Sequence, residues 1–338
     1  MQAWLPIISR RNGRVVFIDG FAGPGVYAGG EDGSPVIAMR ALIDHAHKQA
    51  IQSEVHFVFF EADKKRSEHL SAIIDPICKD LPKGCSVSVS HGEYAKLLSD
   101  ALDELEANGK QLAPSLVFVD PFGVSGLPMD LVRRVLATPS CEVLVNFMTG
   151  YAHRFIAAPE FEKHLDEIFG TSDWRNGRIL TGHARIDFLR KLYISELQRQ
   201  DAAGGARYAR AFSMLNAAGQ PIYDLVFATN HPLGIDRMKD ALWKVDANAG
   251  ERFSDATDPD QPTLLDQGAG HDDGLITMLR GTFRGTTVSW SVVEERIRQS
   301  PYRILKMPLL RAAKDPNSGI SISPRGRGIK EDALLSFS

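Results

Sequence analysis

Val15-Val16-Phe17-Ile18-Asp19-Gly20-Phe21-Ala22-Gly23-Pro24-Gly25 is an apolar run that stops at a carboxylate and passes into a glycine-rich loop. The run 15–18 suits a strand buried on both faces. The glycines allow a tight turn and a close approach of backbone to ligand. Outward from this stretch, further strand-length runs fall at 55–60, 86–90, 116–119 and 143–147, all but 86–90 almost wholly apolar. Helical stretches at 35–48, 64–74, 94–107 and 129–137 lie between them. A repeated strand-helix alternation implies a parallel sheet with right-handed crossovers.

The alternation breaks at 150–200, which has no strand pattern and two helical stretches, 161–168 and 184–200. Apolar runs 209–215 and 222–228 then flank a turn and read as a hairpin. Five parallel strands plus a closing hairpin is the strand count of a methyltransferase sheet. The expected fold class is therefore α/β, a doubly wound Rossmann-like methyltransferase sheet with a helical insertion. Residues 1–246 form that domain, with 150–206 as a helical cap beside the site. Residues 247–273, rich in Asp, Gly, Ala and Pro, read as a linker. Residues 274–338 give helix, strand, helix, helix and a hairpin (320–323 and 329–335), the order of a winged helix.

The chain has 338 residues, 43% of them hydrophobic and 24% charged, which suits a globular two-domain protein. No apolar run approaches the roughly 20 residues of a membrane span. Cys78, Cys85 and Cys141 match neither a disulfide framework nor zinc spacing, so no metal is expected and the reading is cytoplasmic. The net charge of −3 is uneven: residues 275–338 hold 11 Lys+Arg against 5 Asp+Glu, and the remainder holds 28 against 37. A basic tail on an acidic body points to a polyanion.

The strand ends carry the chemistry, because open α/β sheets bind ligands at the carboxyl edge. Asp19, Phe21, Ala22, Gly23 and Gly25 form the first loop. A dinucleotide would put a pyrophosphate near this turn, where Asp19 repels it. S-adenosylmethionine brings an amino group and a sulfonium, which a carboxylate attracts. A valine at Gly25 is expected to block binding while sparing the fold, since the loop reads as a surface loop. Glu61, with Asp63 beside it, ends the second strand and can accept the ribose hydroxyls. Gly92 and Glu93 follow the third strand, near the adenine edge.

Asp120-Pro121-Phe122-Gly123 follows the fourth strand and is the expected catalytic motif. It resembles the Asp-Pro-Pro-Tyr signature of amino-directed nucleic-acid methyltransferases, and looks more like the Asp-Pro-Phe-Gly of tRNA guanine-N2 dimethyltransferases. An exocyclic amine is a poor nucleophile because its lone pair is delocalised. A carboxylate or carbonyl that accepts its hydrogens aligns the nitrogen with a sulfonium, and an aromatic neighbour stacks on a flipped base. A cytosine-C5 mechanism needs a cysteine after this strand, and none lies between Asp120 and Cys141. Asn146 ends the fifth strand, where it can face the target pocket. Asn230 and His231 leave the last strand and either face the site or cap the following helix, with capping favoured.

In order along the chain, Phe17-Ile18-Asp19-Gly20-Phe21-Ala22-Gly23-Pro24-Gly25, Gly33-Ser34-Pro35, Phe59-Phe60-Glu61 and Phe118-Val119-Asp120-Pro121-Phe122-Gly123 resemble the three-Cys-motif partner protein family. So do Tyr223-Asp224-Leu225-Val226-Phe227-Ala228-Thr229-Asn230 and Met238-Lys239-Asp240-Ala241-Leu242-Trp243. These are bacterial proteins encoded beside a three-cysteine-motif, radical-SAM-like protein. The resemblance implies a methyltransferase-like domain followed by a winged helix, with that iron–sulfur neighbour as a partner.

The expected activity is methyl transfer to an exocyclic amine of a nucleic-acid base. The alternatives are a catalytically silent module that binds S-adenosylmethionine and nucleic acid beside the three-cysteine protein, and a methyltransferase for a small molecule or nucleotide. Nucleic acid is expected to meet Arg303, Lys306, Arg311 and Lys314 on or beside the recognition helix 304–313, and Arg325 and Arg327 at the wing tip.

Overall fold

The computed structural model describes residues 1, 4–46, 48–121, 123, 125–202, 204–246, 249–254, 269–324 and 326–338. Phe122 and Arg325, and most of the expected linker, lie outside the described residues. The chain divides into two compact units, one of 1–211 with 221–234 and one of 212–220 with 235–338.

The first unit opens with a short helix α1 (Trp4–Ile8) and strand β1 (Arg14–Asp19), followed by α2 (Ser34–Ile43), β2 (Glu54–Glu61) and α3 (Lys64–Cys78). Next come β3 (Cys85–His91), α4 (Tyr94–Ala107), β4 (Ser115–Val119), α5 (Met129–Ala137) and β5 (Glu142–Phe147). Helices α6 (Thr149–Phe155), α7 (Glu162–Phe169) and α8 (Gly182–Gln198) precede the hairpin β6 (Tyr208–Leu215) and β7 (Pro221–Thr229). The strands lie in the order β3-β2-β1-β4-β5-β7-β6. The first five are parallel and β7 runs antiparallel to β5. The expected α/β class and strand plan are those of the structure.

Alternation along β1 sends Val16 and Ile18 to one face and Val15 and Phe17 to the other. Val16 and Ile18 share one buried cluster with Val117, Val119, Val143 and Val145 of the sheet, Leu98 of α4, Val132 of α5 and Leu189 of α8. Phe17 meets Phe57 and Phe59 edge-on, with ring centroids 6.1 and 6.5 Å apart. Such rings bury large apolar area and fix the strand register. Asp19 pairs in register with Phe59 and Phe118. Glu61 and Asp120 stand two residues beyond those partners, so all three carboxylates reach the same edge on the same pleat.

The insertion is helical, as expected, and richer by the helix α6, which begins two residues after β5 ends. Its anchor is buried. Thr149 donates to Asp224 of β7, and Arg190 Nε of α8 donates to the other Asp224 oxygen at 2.9 Å. Asp224 thus ties the insertion to the sheet.

In the second unit, the end of β6 pairs in parallel with a short strand β8 (Arg252–Ser254), inside the expected linker. Helix α9 (Pro232–Val245) falls mainly in this unit, so the division comes at 234/235 and not at 246. Then follow α10 (Ala269–Phe283), β9 (Thr286–Ser289), α11 (Trp290–Arg298), α12 (Lys306–Ala312), β10 (Ile320–Ser323) and β11 (Leu334–Phe337). The three strands form an antiparallel sheet in the order β10-β11-β9 around Leu279, Trp290, Ile297, Leu335 and Phe337. The last strand is shifted to 334–337 from the expected 329–335. Ile329 and Ala333 are buried ahead of it, which is why the apolar pattern reads early. Among the described residues no helix is long and apolar enough to cross a membrane.

Lys239 of α9 is buried, and its ammonium donates to Ile297 O at 2.8 Å and Tyr302 O at 2.7 Å. Trp243 Nε1 donates to Pro301 O at 2.9 Å. A cation at the carbonyl end of α11 satisfies groups that the helix leaves open. Lys239→Met keeps the apolar stem and removes the donor. It should lower stability by about 2–3 kcal/mol, read from the urea midpoint, because buried carbonyls lose their partner.

Candidate active site

The loop after β1 is stitched across the ends of its neighbours. Gly20 N–H donates to Phe118 O and Ala22 N–H to Phe60 O, both at 2.9 Å. Gly23 N–H donates to Glu61 Oε2 at 2.8 Å. The other Glu61 oxygen accepts from Asp63 N–H at 2.8 Å. Gly92 N–H donates to Glu61 O at 2.9 Å, which joins the third strand end to the second. Glu61 therefore sits buried beneath the glycine loop, with its carboxylate shared between two backbone donors.

Asp19 has no solvent exposure. Its Oδ1 accepts from Phe21 N–H at 3.1 Å, and no hydrogen bond reaches Oδ2 among the described residues. Burial pushes its carboxyl up to about 6, against the pull of the Ser34 hydroxyl and the Phe21 N–H, while the charges of Asp120 and Glu61 push it further. Both neighbouring acids thus bear on Asp19, and no cation pairs with it among the described residues.

The glycines differ in what they leave open. Gly23 has φ +64°, and a Cβ there meets nothing within 4 Å. That is the side from which a ligand can approach the backbone. Gly25 is buried at φ +84°, and a Cβ would lie 2.9 Å from Leu70 Cδ1. Gly25→Val therefore strains the fold itself, and the expectation that it spares the fold is corrected. Gly20, missed as a site residue, is held glycine by the Tyr94 ring, 2.4 Å from where its Cβ would be. Tyr94 is buried, its hydroxyl has no partner, and burial raises its pKa.

Asp63 accepts from Arg66 N–H at 2.9 Å and caps α3, a role that pulls its carboxyl below the usual range. Glu93 stands exposed at the start of α4 without a capping bond of its side chain. Asp120 follows β4 at an exposed position, and its Oδ1 accepts from Asn146 Nδ2 at 2.6 Å. Withdrawal from water raises the Asp120 pKa, and the Asn146 bond opposes the rise. Asn146 Oδ1 is buried without a partner among the described residues. Pro121 and Gly123 are buried, and a Cβ on Gly123 would lie 3.6 Å from Tyr151 Cζ of α6. The helical insertion therefore begins beside the Asp120 loop. Tyr151, Phe155 and Phe161 form a half-buried ring cluster there, with Tyr151 and Phe155 centroids 4.4 Å apart.

Other expected residues have structural work. Cys141 is buried at the start of β5, the end remote from the site, and burial pushes its thiol up to about 11. His231 Nδ1 accepts from Leu233 N–H and caps α9. Asn230 instead joins Leu136 O, Gly205 O and Arg207 N–H.

In the second unit, Arg303 lies over Trp243 at 5.5 Å, Lys306 Nζ donates to Ile329 O at 2.9 Å, and Arg311 pairs with Asp272 at 3.5 Å. Lys314 and Arg327 are exposed, with no side-chain partner among the described residues.

No protein-family model matches the chain, and no curated protein matches it. Among solved structures, it is similar to a putative O-methyltransferase from Klebsiella pneumoniae at 12% identity, covering 68% of this chain and 79% of that one, with a TM-score of 0.31. An O-methyltransferase from Bacillus cereus in complex with SAH is similar at 14% identity over 68% and 79%, with a TM-score of 0.33. The methyltransferase domain of bacterial CtHen1-C matches at 12% over 68% and 95%, also at 0.33. Likeness at this level gives no residue-by-residue correspondence, and the site stands on its own geometry.

Asp19 supplies a test of that geometry. Its folded pKa lies above its unfolded value of 3.8. The folded state is therefore penalised above about pH 6, the penalty shrinks as pH falls, and it vanishes below the unfolded value. A shift of this size corresponds to about 3 kcal/mol. Asp19→Asn should raise stability at pH 7–8 by up to that amount, with the gain lost near pH 4, in urea melts across pH.

Proposed function

We propose that the protein is an S-adenosylmethionine-dependent methyltransferase whose acceptor is an exocyclic amino group of a nucleic-acid base. The observation that carries the reading is the buried Asp19 oxygen, unpaired among the described residues, in the loop whose Gly23 has open space where a Cβ would stand. A ligand ammonium supplies the cation that this carboxylate lacks, and a pyrophosphate would worsen its burial. Glu61 has lone pairs beyond those used by Gly23 and Asp63 and can accept ribose hydroxyls. Gly92 and Glu93 border the place where an adenine edge fits.

The bound donor supplies an electrophilic methyl on a sulfonium. The chain's own part is to hold the acceptor. Asp120 accepts a hydrogen of the amine and orients its lone pair, and Asn146 holds Asp120 in place. The ring cluster of α6 shields the loop from water. Phe122 belongs to this motif as a stacking residue, on the strength of the sequence alone.

The order helix, strand, helix, helix, hairpin supports a winged helix in the second unit, and its basic balance supports nucleic acid as its partner. Lys314 and Arg327, exposed and without a side-chain partner among the described residues, are offered for phosphate contact. One observation favours a second reading, in which this unit docks the three-cysteine-motif protein: Arg303, Lys306 and Arg311 are already engaged within the unit.

Calorimetric titration should show S-adenosylmethionine binding and no NAD binding, and the reverse would overturn the reading. In a tritiated-methyl assay against DNA, tRNA and rRNA pools, Asp120→Ala should lower transfer by about 100-fold or more while keeping donor binding. Gel shifts of the full chain should weaken steeply with salt, and Lys314→Ala with Arg327→Ala should flatten that slope by about two counterions. An unchanged slope selects protein docking.

A further inference from the structure

Asn146 is turned by chemistry and not by chance. An ionised carboxylate only accepts hydrogen bonds, so the group that Asn146 presents to Asp120 at 2.6 Å must be its NH₂. Its carbonyl oxygen, in the same amide plane, then occupies the other arm of the group. There it is buried with no partner among the described residues. A buried acceptor without a donor is unfavourable by about 1–3 kcal/mol and is rarely retained without a ligand to satisfy it. The neighbouring Asp120 stands at an exposed position, carries a raised pKa, and has a second oxygen without a partner among the described residues.

We infer that Asn146 Oδ1 and Asp120 form a two-acceptor clamp that selects a primary amine, each accepting one of its two hydrogens. The inference rests on the methyltransferase reading and sharpens it. A keto oxygen in the same place presents lone pairs to both acceptors and is repelled, and a hydroxyl can donate to only one of them. The clamp thus discriminates an amino-bearing base from its keto analogue, which differs little in size or stacking. A site built to hydrogen-bond one group rejects the analogue lacking it far more strongly than shape alone can. Tyr151, half-buried beside Gly123 and backed by Phe155 and Phe161, gives the planar ring of such a substrate a face to rest on. Stacking does not tell amine from ketone, so its contribution is separable from that of the clamp.

The pairs adenosine and inosine, cytidine and uridine, and guanosine and xanthosine test this by ligand-observed NMR titration of the full chain. Each titration is run with and without S-adenosylhomocysteine. At least one amino nucleoside should bind about tenfold or more tightly than its keto partner, the equivalent of one charge-assisted hydrogen bond. Asn146→Leu, similar in size, should reduce that ratio to near one. Tyr151→Ala should weaken both members of a pair alike and leave the ratio intact. Equal affinity within every pair, absence of binding by every amino nucleoside, or a ratio that survives Asn146→Leu overturns the clamp. The unsubstituted protein's own selectivity decides the matter even if a variant fails to fold. Failure of S-adenosylhomocysteine to bind defeats the methyl-donor reading instead, and selectivity in the titration without it still decides the clamp.

Discussion

The Asp19 carboxylate lies wholly out of water with one oxygen unpaired, between two further acids and without a cation. Burying an uncompensated charge is among the least favourable arrangements in a folded chain. The surrounding structure enforces it. Asp19 is the last residue of the central strand, held in register on both sides by Phe59 and Phe118. The Phe21 N–H folds back on one oxygen and leaves the other open. Strain of this kind accumulates where binding will relieve it. Every other part of the site is placed with respect to this residue.

That placement is a chain of backbone bonds. The glycine loop rests on β2 through Ala22 and on β4 through Gly20, and Gly23 rests on the Glu61 carboxylate. Gly92 closes on the same strand end. The first three loops are therefore one unit, and a shift in any of them moves Asp19 relative to Glu61. The fourth loop couples through charge and through Asn146. Behind it, Asp224 fixes both α6 and α8 to β7, which holds Tyr151 beside Gly123. A rigid sheet edge, a bonded loop cluster and an anchored helical cover give the precision that aligning two reacting groups demands.

The parts of this arrangement that could be read in the sequence are those written in local pattern. Apolar runs ending in an acid marked β1, β2 and β4, and a single pleat parity brings Asp19, Glu61 and Asp120 together. Helices α4 and α5 were legible to the residue because their apolar spacing has no competing reading. Features set by tertiary contact were not. Helix α6 follows β5 after one residue and contains Gly150, so no start signal separates it; the spacing of Tyr151 and Phe155 four apart was the only hint of a shared face. Asp63 looked like a ligand residue because a capping aspartate and a ribose-binding one follow a strand in the same way. Arg303 and Lys306 looked free because nothing local reveals Trp243 beneath one and Ile329 O beside the other. The orientation of Asn146 depends on Asp120, which is 26 residues away in the chain.

The account stands or falls on the state of the Asp19 carboxyl, which carboxyl-carbon NMR reads directly as pH is varied. In the free protein it should titrate near 6. On addition of S-adenosylmethionine the ammonium should stabilise the ionised form and drive the titration below the ordinary aspartate value of about 4. A free-protein titration at 4 or lower, or a midpoint that S-adenosylmethionine leaves in place, would contradict it.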